Sequence, residues 1–399
     1  MNLEAEPRPR RRWRRRLLTT VLIIAALVAA SYGGAALAHV PPPHTIVRLL
    51  TTAPSEQGQL FATRTVSAPS TPSDLPVAGD TLDLARQVPW KGKHVPLRDV
   101  LGETKTNAFI VLHGGEVVSE WYADGKSAAT RFSSWSVAKS VISLLVGQAI
   151  GRGELSEDDR LVDLVPELEG GSGGYDDITV RDLLDMSSGV DVAENYREYW
   201  PFTGTARLFL STDLPGYIEA HRSVTYAPGT DASYRSVDTQ LLGMILTEVE
   251  GKPLSEQLTE QLWQPLGAEA DATWDLDREG GLEKAFCCIN AVARDYARMG
   301  QLVLDDGMAG GQQLIPTAWI DRISTLAPRE VSGWGYSAQW WHAPGSDDDL
   351  CAVGVYGQYI YVNPAADTVI VKLSDYGTEQ DELETVDMMR AVAADLGRS

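Results

Sequence analysis

Apolar residues recur along this chain with two periods, and the places where the period changes outline its elements. Residues 108–113 (Ala-Phe-Ile-Val-Leu-His) and 116–122 are β-rich runs on either side of Gly114-Gly115, which predicts a β-hairpin. Residues 136–150 are apolar around most of a helical circumference, the mark of a buried central helix. A short helix follows over 179–186, capped by Thr179 and stopped by Ser187-Ser188-Gly189. Residues 191–228 are aromatic and irregular, as site-lining loops are. Helices are predicted over 237–250 and 254–263, and residues 291–305 carry a clear 3.6-residue period. Strand-like runs then cover 336–341, 359–362 and 368–373, the last two joined as a hairpin through 363–367. An amphipathic helix over 379–396 closes the chain. Hairpins at both ends with helices between them predict an α+β fold: one antiparallel sheet, helices packed on it, and a mainly helical insertion.

The first eighty residues follow a different pattern. Residues 1–16 are polar and hold seven arginines, and residues 17–38 then carry no charge. That run is just long enough for a membrane-spanning helix, and the arginines before it would keep the N-terminus in the cytoplasm. The rival is a cleaved signal peptide, because Ala36-Leu37-Ala38 resembles a cleavage site; the arginine pairs also allow a twin-arginine export signal. A retained anchor is favoured, since secretory apolar cores are usually shorter. Either way the bulk of the protein is expected outside the cytoplasm. Residues 40–79 are rich in Pro, Ser and Thr without a sustained period, and read as a tether to a domain over 80–399.

At 399 residues there is ample material for a core, and the net charge of −21 understates the acidity of the domain. Beyond residue 38 the chain holds 27 basic and 53 acidic side chains, which excludes nucleic acid as a partner. Of three cysteines (Cys287, Cys288, Cys351), the reading leaves two states open. Either Cys351 pairs with one of the vicinal two outside the cytoplasm, or all three are buried thiols. The six histidines are scattered, no His-Glu-x-x-His occurs, and neither a metal nor a cofactor is expected.

The central helix carries the candidate chemistry. Of eight lysines, only Lys139 has a serine three residues before it, and its neighbours in the helix are apolar. An ammonium there loses solvation and must find a partner or release its proton. Residues three apart share a helix face, so Ser136 and Lys139 meet at a helix N-terminus, where free N–H groups favour negative charge. Alcohol, desolvated amine and dipole are the parts of an activated serine nucleophile.

Five segments, in order, resemble the serine hydrolases of the β-lactamase/penicillin-binding superfamily, most closely the branch of 6-aminohexanoate-oligomer (nylon oligomer) hydrolases and related esterases. They are Ser136-Val137-Ala138-Lys139; Leu183-Leu184-Asp185-Met186-Ser187-Ser188-Gly189; and Tyr226-Ala227-Pro228-Gly229 with Tyr234-Arg235-Ser236. The fourth and fifth are residues 293–300 (Ala-Arg-Asp-Tyr-Ala-Arg-Met-Gly) and 354–360 (Gly-Val-Tyr-Gly-Gln-Tyr-Ile). The resemblance implies a β-lactamase-like fold over 80–399, with Ser136 as nucleophile, Lys139 as base and Tyr234 as proton relay. A neighbouring ammonium is expected to lower the Tyr234 pKa. It implies an oxyanion hole from the backbone N–H groups of Ser136 and Gln358. Tyr196, Tyr356 and Gly357 are candidate substrate contacts, while Asn290 is either a pocket residue or a cap for the helix after it.

Two departures narrow the reading. The family's Tyr-x-Asn reads Tyr234-Arg235-Ser236, and the closing strand has Val355-Tyr356-Gly357 where a Lys-Thr-Gly triad would hold a penicillin carboxylate. Both point away from β-lactamase or D-Ala-D-Ala carboxypeptidase activity. The expectation is a membrane-tethered extracytoplasmic hydrolase of small-molecule amides or esters acting through an acyl-enzyme. A catalytically silent binding or sensor domain is the rival.

Overall fold

The computed structural model describes residues 9–79, 82–195, 203–345, 349–377 and 381–397. Its backbone is a seven-stranded antiparallel sheet. Across the sheet the strands run Gly335–Ser337, Trp340–His342, Leu350–Gly354, Gln358–Asn363, Thr368–Ser374, Thr106–His113 and Glu116–Tyr122. Both terminal hairpins expected from the sequence are present, and they meet where Thr368–Ser374 pairs with Thr106–His113. Alternate side chains point to opposite faces of a strand, and here both faces are apolar. Ile110, Ala352, Ile360 and Val371 pack with helices Val137–Gly151 and Ala293–Leu304 on one face. Phe109, Cys351, Tyr359 and Ile370 pack with helix Glu382–Leu396 on the other.

Helix Val137–Gly151 is buried on every side except its last turn, as its all-round apolar sequence requires. The helical insertion follows it. There Thr179 and Asp182 form a reciprocal capping box at the head of Val180–Leu184, and helix Ser236–Glu250 ends on Gly251 in the left-handed conformation. The irregular region also holds two short helices, Gly204–Phe209 and Leu214–Glu219.

Three expectations change. Residues 336–341 are not one strand: Ala338 (φ 43°) and Gln339 (φ 71°) make a two-residue turn between two strands. The Gln339 side chain fixes it, donating to the carbonyls of Leu183 and Leu184 and accepting from Thr239. The 3.6-residue period over 291–305 covers the end of strand Ile289–Val292 as well as helix Ala293–Leu304. Residues 40–79 hold regular structure, where the sequence predicts an irregular linker. They form helix Pro43–Thr51, the 3₁₀ segment Pro54–Leu60 and strand Thr63–Val66. That strand pairs with Ala272–Asp275 at the edge of a four-stranded sheet completed by Ile289–Val292 and Arg131–Ser133. Ser55 anchors the segment by donating from both its amide and its hydroxyl to the Asp375 carboxylate.

Candidate active site

Strand Arg131–Ser133 delivers the chain to the head of the central helix. Ser134 secures the delivery, donating its amide to the Ile289 carbonyl at 2.7 Å while its hydroxyl accepts from the Ile289 amide at 3.0 Å. Trp135 then adopts φ 46°, a strained position for a bulky side chain. Its carbonyl accepts from Ser134 Oγ and its indole donates to the Pro54 carbonyl. This kink puts Ser136 at the cap position of helix Val137–Gly151, 8% exposed.

Lys139 Nζ lies 2.9 Å from Ser136 Oγ and donates to the Phe286 carbonyl at 2.9 Å. The lysine is 1% exposed, and among the described residues aromatic rings flank it: Tyr234 at 5.0 Å and Phe286 at 5.8 Å from Nζ to ring centroid. Burial pushes its pKa down to about 8, against a smaller upward pull from the Glu194 carboxylate. Ser136 also acts on the Tyr234 phenol, in the direction of a lower pKa. Contrary to the expectation from sequence, its pKa is raised far above the ordinary tyrosine value, because burial outweighs every other influence and Glu194 adds to it. A hydroxyl, an amine poised to be neutral and a phenol held protonated therefore converge.

Glu194 was not singled out from the sequence. Its carboxylate accepts from the Ser236 amide and hydroxyl, each at 2.8 Å, and so caps the helix that follows Tyr234. Ser236, at the position of the family's asparagine, is thus committed to Glu194. Arg235 between them is buried, bonded to the carbonyls of Val190 and Val192.

The closing strand bears directly on the nucleophile. Gly354 passes against the Ser136 amide, and Gln358 is its antiparallel partner across the turn Val355-Tyr356-Gly357. The Gln358 side chain is buried, donating to the Ser374 carbonyl at 2.7 Å and accepting from the Ser374 amide at 3.1 Å. Beneath the turn, a second buried lysine, Lys372, bonds to Ser374 Oγ, its pKa driven down to about 7 by burial. A side chain at Gly357 (φ 86°) would press on Ser374 and approach Lys372.

A cavity of about 280 Å³ opens on Ser136, lined among others by Trp135, Phe209, Leu210, Phe286, Cys287 and Tyr356. Of the sequence candidates, Tyr356 lines it, and Gly357 lies in the turn behind. Asn290 is neither in the cavity nor a helix cap. It sits in strand Ile289–Val292 and donates to Asp275 at 2.8 Å, while Val292 occupies the cap position of the next helix. Tyr196 lies outside the described residues. The cysteine pairing also differs: Cys287 and Cys288 are bonded to each other, and Cys351 is a buried free thiol. Strand alternation explains this, because Cys351 projects into the core on the face of the sheet opposite the vicinal pair.

Comparison with known proteins bears on the family and the fold. Residues 101–394 match the Beta-lactamase family. The chain is 32% identical to the 6-aminohexanoate-dimer hydrolase of Paenarthrobacter ureafaciens over 338 residues, 80% of this chain and 83% of that protein. It is 26% identical over 153 residues to Esterase EstB of Burkholderia gladioli, covering 35% of this chain and 37% of that one. A Bacillus anthracis structure assigned as a 6-aminohexanoate-dimer hydrolase superposes with a TM-score of 0.78 at 25% identity, covering 86% of this chain and 94% of its own. The chain belongs to the β-lactamase family and is one of its serine hydrolases.

Proposed function

We propose that Ser136 is the nucleophile of an acyl-enzyme hydrolase of carboxylic amides or esters, with Lys139 as its base and Tyr234 as proton donor to the leaving group. The observation that carries this is Lys139: buried, without an ion pair among the described residues, its pKa near 8, and 2.9 Å from Ser136 Oγ. Neutral Lys139 takes the Ser136 proton as Oγ attacks the substrate carbonyl. The oxyanion is received by the amides of Ser136 and Gln358. Tyr234, kept protonated by burial, donates to the departing amine or alcohol and is reprotonated from Lys139. Water then attacks the acyl-enzyme by the reverse proton path and releases the acid. Tyr356 forms a wall of the substrate pocket.

Helix Pro9–Leu37 contains a stretch, Trp13–Leu37, long and apolar enough to cross a membrane, with an exposed 18-residue window of mean hydropathy 2.0. In this reading it is a retained anchor, with the arginines in the cytoplasm and the catalytic part outside. Ser136→Ala is the decisive variant. It is expected to abolish hydrolysis of p-nitrophenyl acetate and labelling by a fluorophosphonate; undiminished hydrolysis would refute the assignment.

A further inference from the structure

The cavity on Ser136 is completed by the segment that joins the catalytic part to the apolar N-terminal helix. Ile46, Leu49, Leu50 and Gln57 line it together with Phe209 and Leu210. Leu50 is 73% exposed while lining the cavity, so it stands at the mouth, and Val47 on the same short helix is 59% exposed. This mouth is tied to the apolar helix. Ala35, near that helix's end, packs in one cluster with Val40, Leu49, Phe209 and Leu210. The Tyr32 hydroxyl hydrogen-bonds with His44 at 3.1 Å, and the two rings stack.

The charge pattern sets the depth of the bilayer. Residues 17–37 carry no charge and span about 30 Å of helix axis, which matches a hydrocarbon core of roughly 30 Å with Arg14, Arg15 and Arg16 at the cytoplasmic interface and Tyr32 in the last turns before the outer one. His44 is bonded to Tyr32, so helix Pro43–Thr51 lies at that outer interface, its exposed Val47 and Leu50 beside the cavity mouth. The cavity also has a chemical side. Its lining includes Ser136, but neither Tyr234 nor the Met186, Val331, Tyr336 and Trp341 around that phenol. A leaving group departs on the Tyr234 side, so the apolar cavity takes the acyl side.

We propose that this cavity seats the hydrocarbon acyl chain of an amphiphilic ester or amide drawn from the bilayer that holds Trp13–Leu37. The inference rests on Ser136 as nucleophile and on that helix as a retained anchor. Hydrolysis follows the acyl-enzyme steps above, with the chain parked against Leu49, Phe209 and Leu210 while water attacks.

The test uses the full chain reconstituted in phosphatidylcholine–phosphatidylglycerol vesicles. With p-nitrophenyl esters from acetate to octanoate, kcat/KM is expected to rise roughly fourfold per added methylene until the cavity is full. Leu50→Ser, at an exposed position that the fold tolerates, is expected to lower the octanoate-to-acetate ratio. p-Nitrophenyl palmitate placed in the same vesicles should turn over roughly tenfold or more faster than in separate vesicles, because a shared bilayer raises its effective concentration. A flat or falling chain-length series overturns the proposal, as does an equal palmitate rate from separate vesicles. In either case acetate hydrolysis that disappears in Ser136→Ala leaves the nucleophile assignment standing, whereas acetate hydrolysis surviving that substitution removes the assignment itself.

Discussion

Gly354 lies so close to Ser136 that a Cβ on it would stand 3.0 Å from the Ser136 amide nitrogen and 2.7 Å from the Ser134 carbonyl oxygen. Both atoms are backbone, and the first helical turn cannot retreat into a filled core. Gly354→Ala must therefore push the closing strand, and Gln358 with it, away from the nucleophile. Loss of one oxyanion donor typically lowers kcat by ~10²–10³. We expect a fall of that order with KM little changed, measured by steady-state hydrolysis of a p-nitrophenyl ester.

The pH profile reports on Lys139. Its proton must be absent for Ser136 to be activated, so kcat/KM should fall about tenfold per pH unit below its titration point near 8. Glu194 raises that point, so Glu194→Gln should move the acid limb to lower pH. Simple loosening of the Ser236 helix start would lower the rate without moving the limb. Linkage gives the matching sign for stability. The native chain binds fewer protons at Lys139 than the unfolded chain between about 8 and 10.5, so this group makes the fold more stable as pH rises through that window.

Arg322 joins the helical insertion to the sheet. Its guanidinium takes both oxygens of Asp185 at 2.9 and 2.8 Å, reaches Glu157 at 3.0 Å, and donates to Ser337 Oγ at 2.6 Å. Removing one partner of such a network strands the others. Arg322→Ala should destabilise by about 3–5 kcal/mol, and Arg322→Lys should recover little, since an ammonium lacks the planar fork. Urea unfolding followed by circular dichroism would read both.

Thiol titration tests the cysteine arrangement. The native chain should give no reaction with a disulfide reagent, because Cys351 is buried and the other two are bonded to each other. Denaturation without reductant should release one thiol, and denaturation with reductant all three.

Much of the site was legible because it is local. The three-residue interval from Ser136 to Lys139 fixes a shared helix face whatever surrounds it, and the apolar neighbours of Lys139 already implied an amine without solvent. The two hairpins were legible for the same reason, since glycine and proline turns separate short β-rich runs. What escaped depends on distant parts of the chain. The partner of Thr63–Val66 lies some two hundred residues away in Ala272–Asp275, and no local period marks it. The state of Cys351 turns on which way one strand residue faces. The direction of the Tyr234 shift turns on how deeply the phenol is covered. Glu194 lies in a loop, where sequence offers no period to reveal what its carboxylate caps.

The Trp135 indole rests on the Pro54 carbonyl, and Leu49, Leu50 and Gln57 border the cavity. A soluble form trimmed at residue 79, upstream of the family match that begins at residue 101, would lose that border and leave Trp135, Phe209 and Leu210 open to water. It would keep the nucleophile and discard the part of the chain that shapes what reaches it. Expression boundaries for biochemical work therefore belong upstream of Val40.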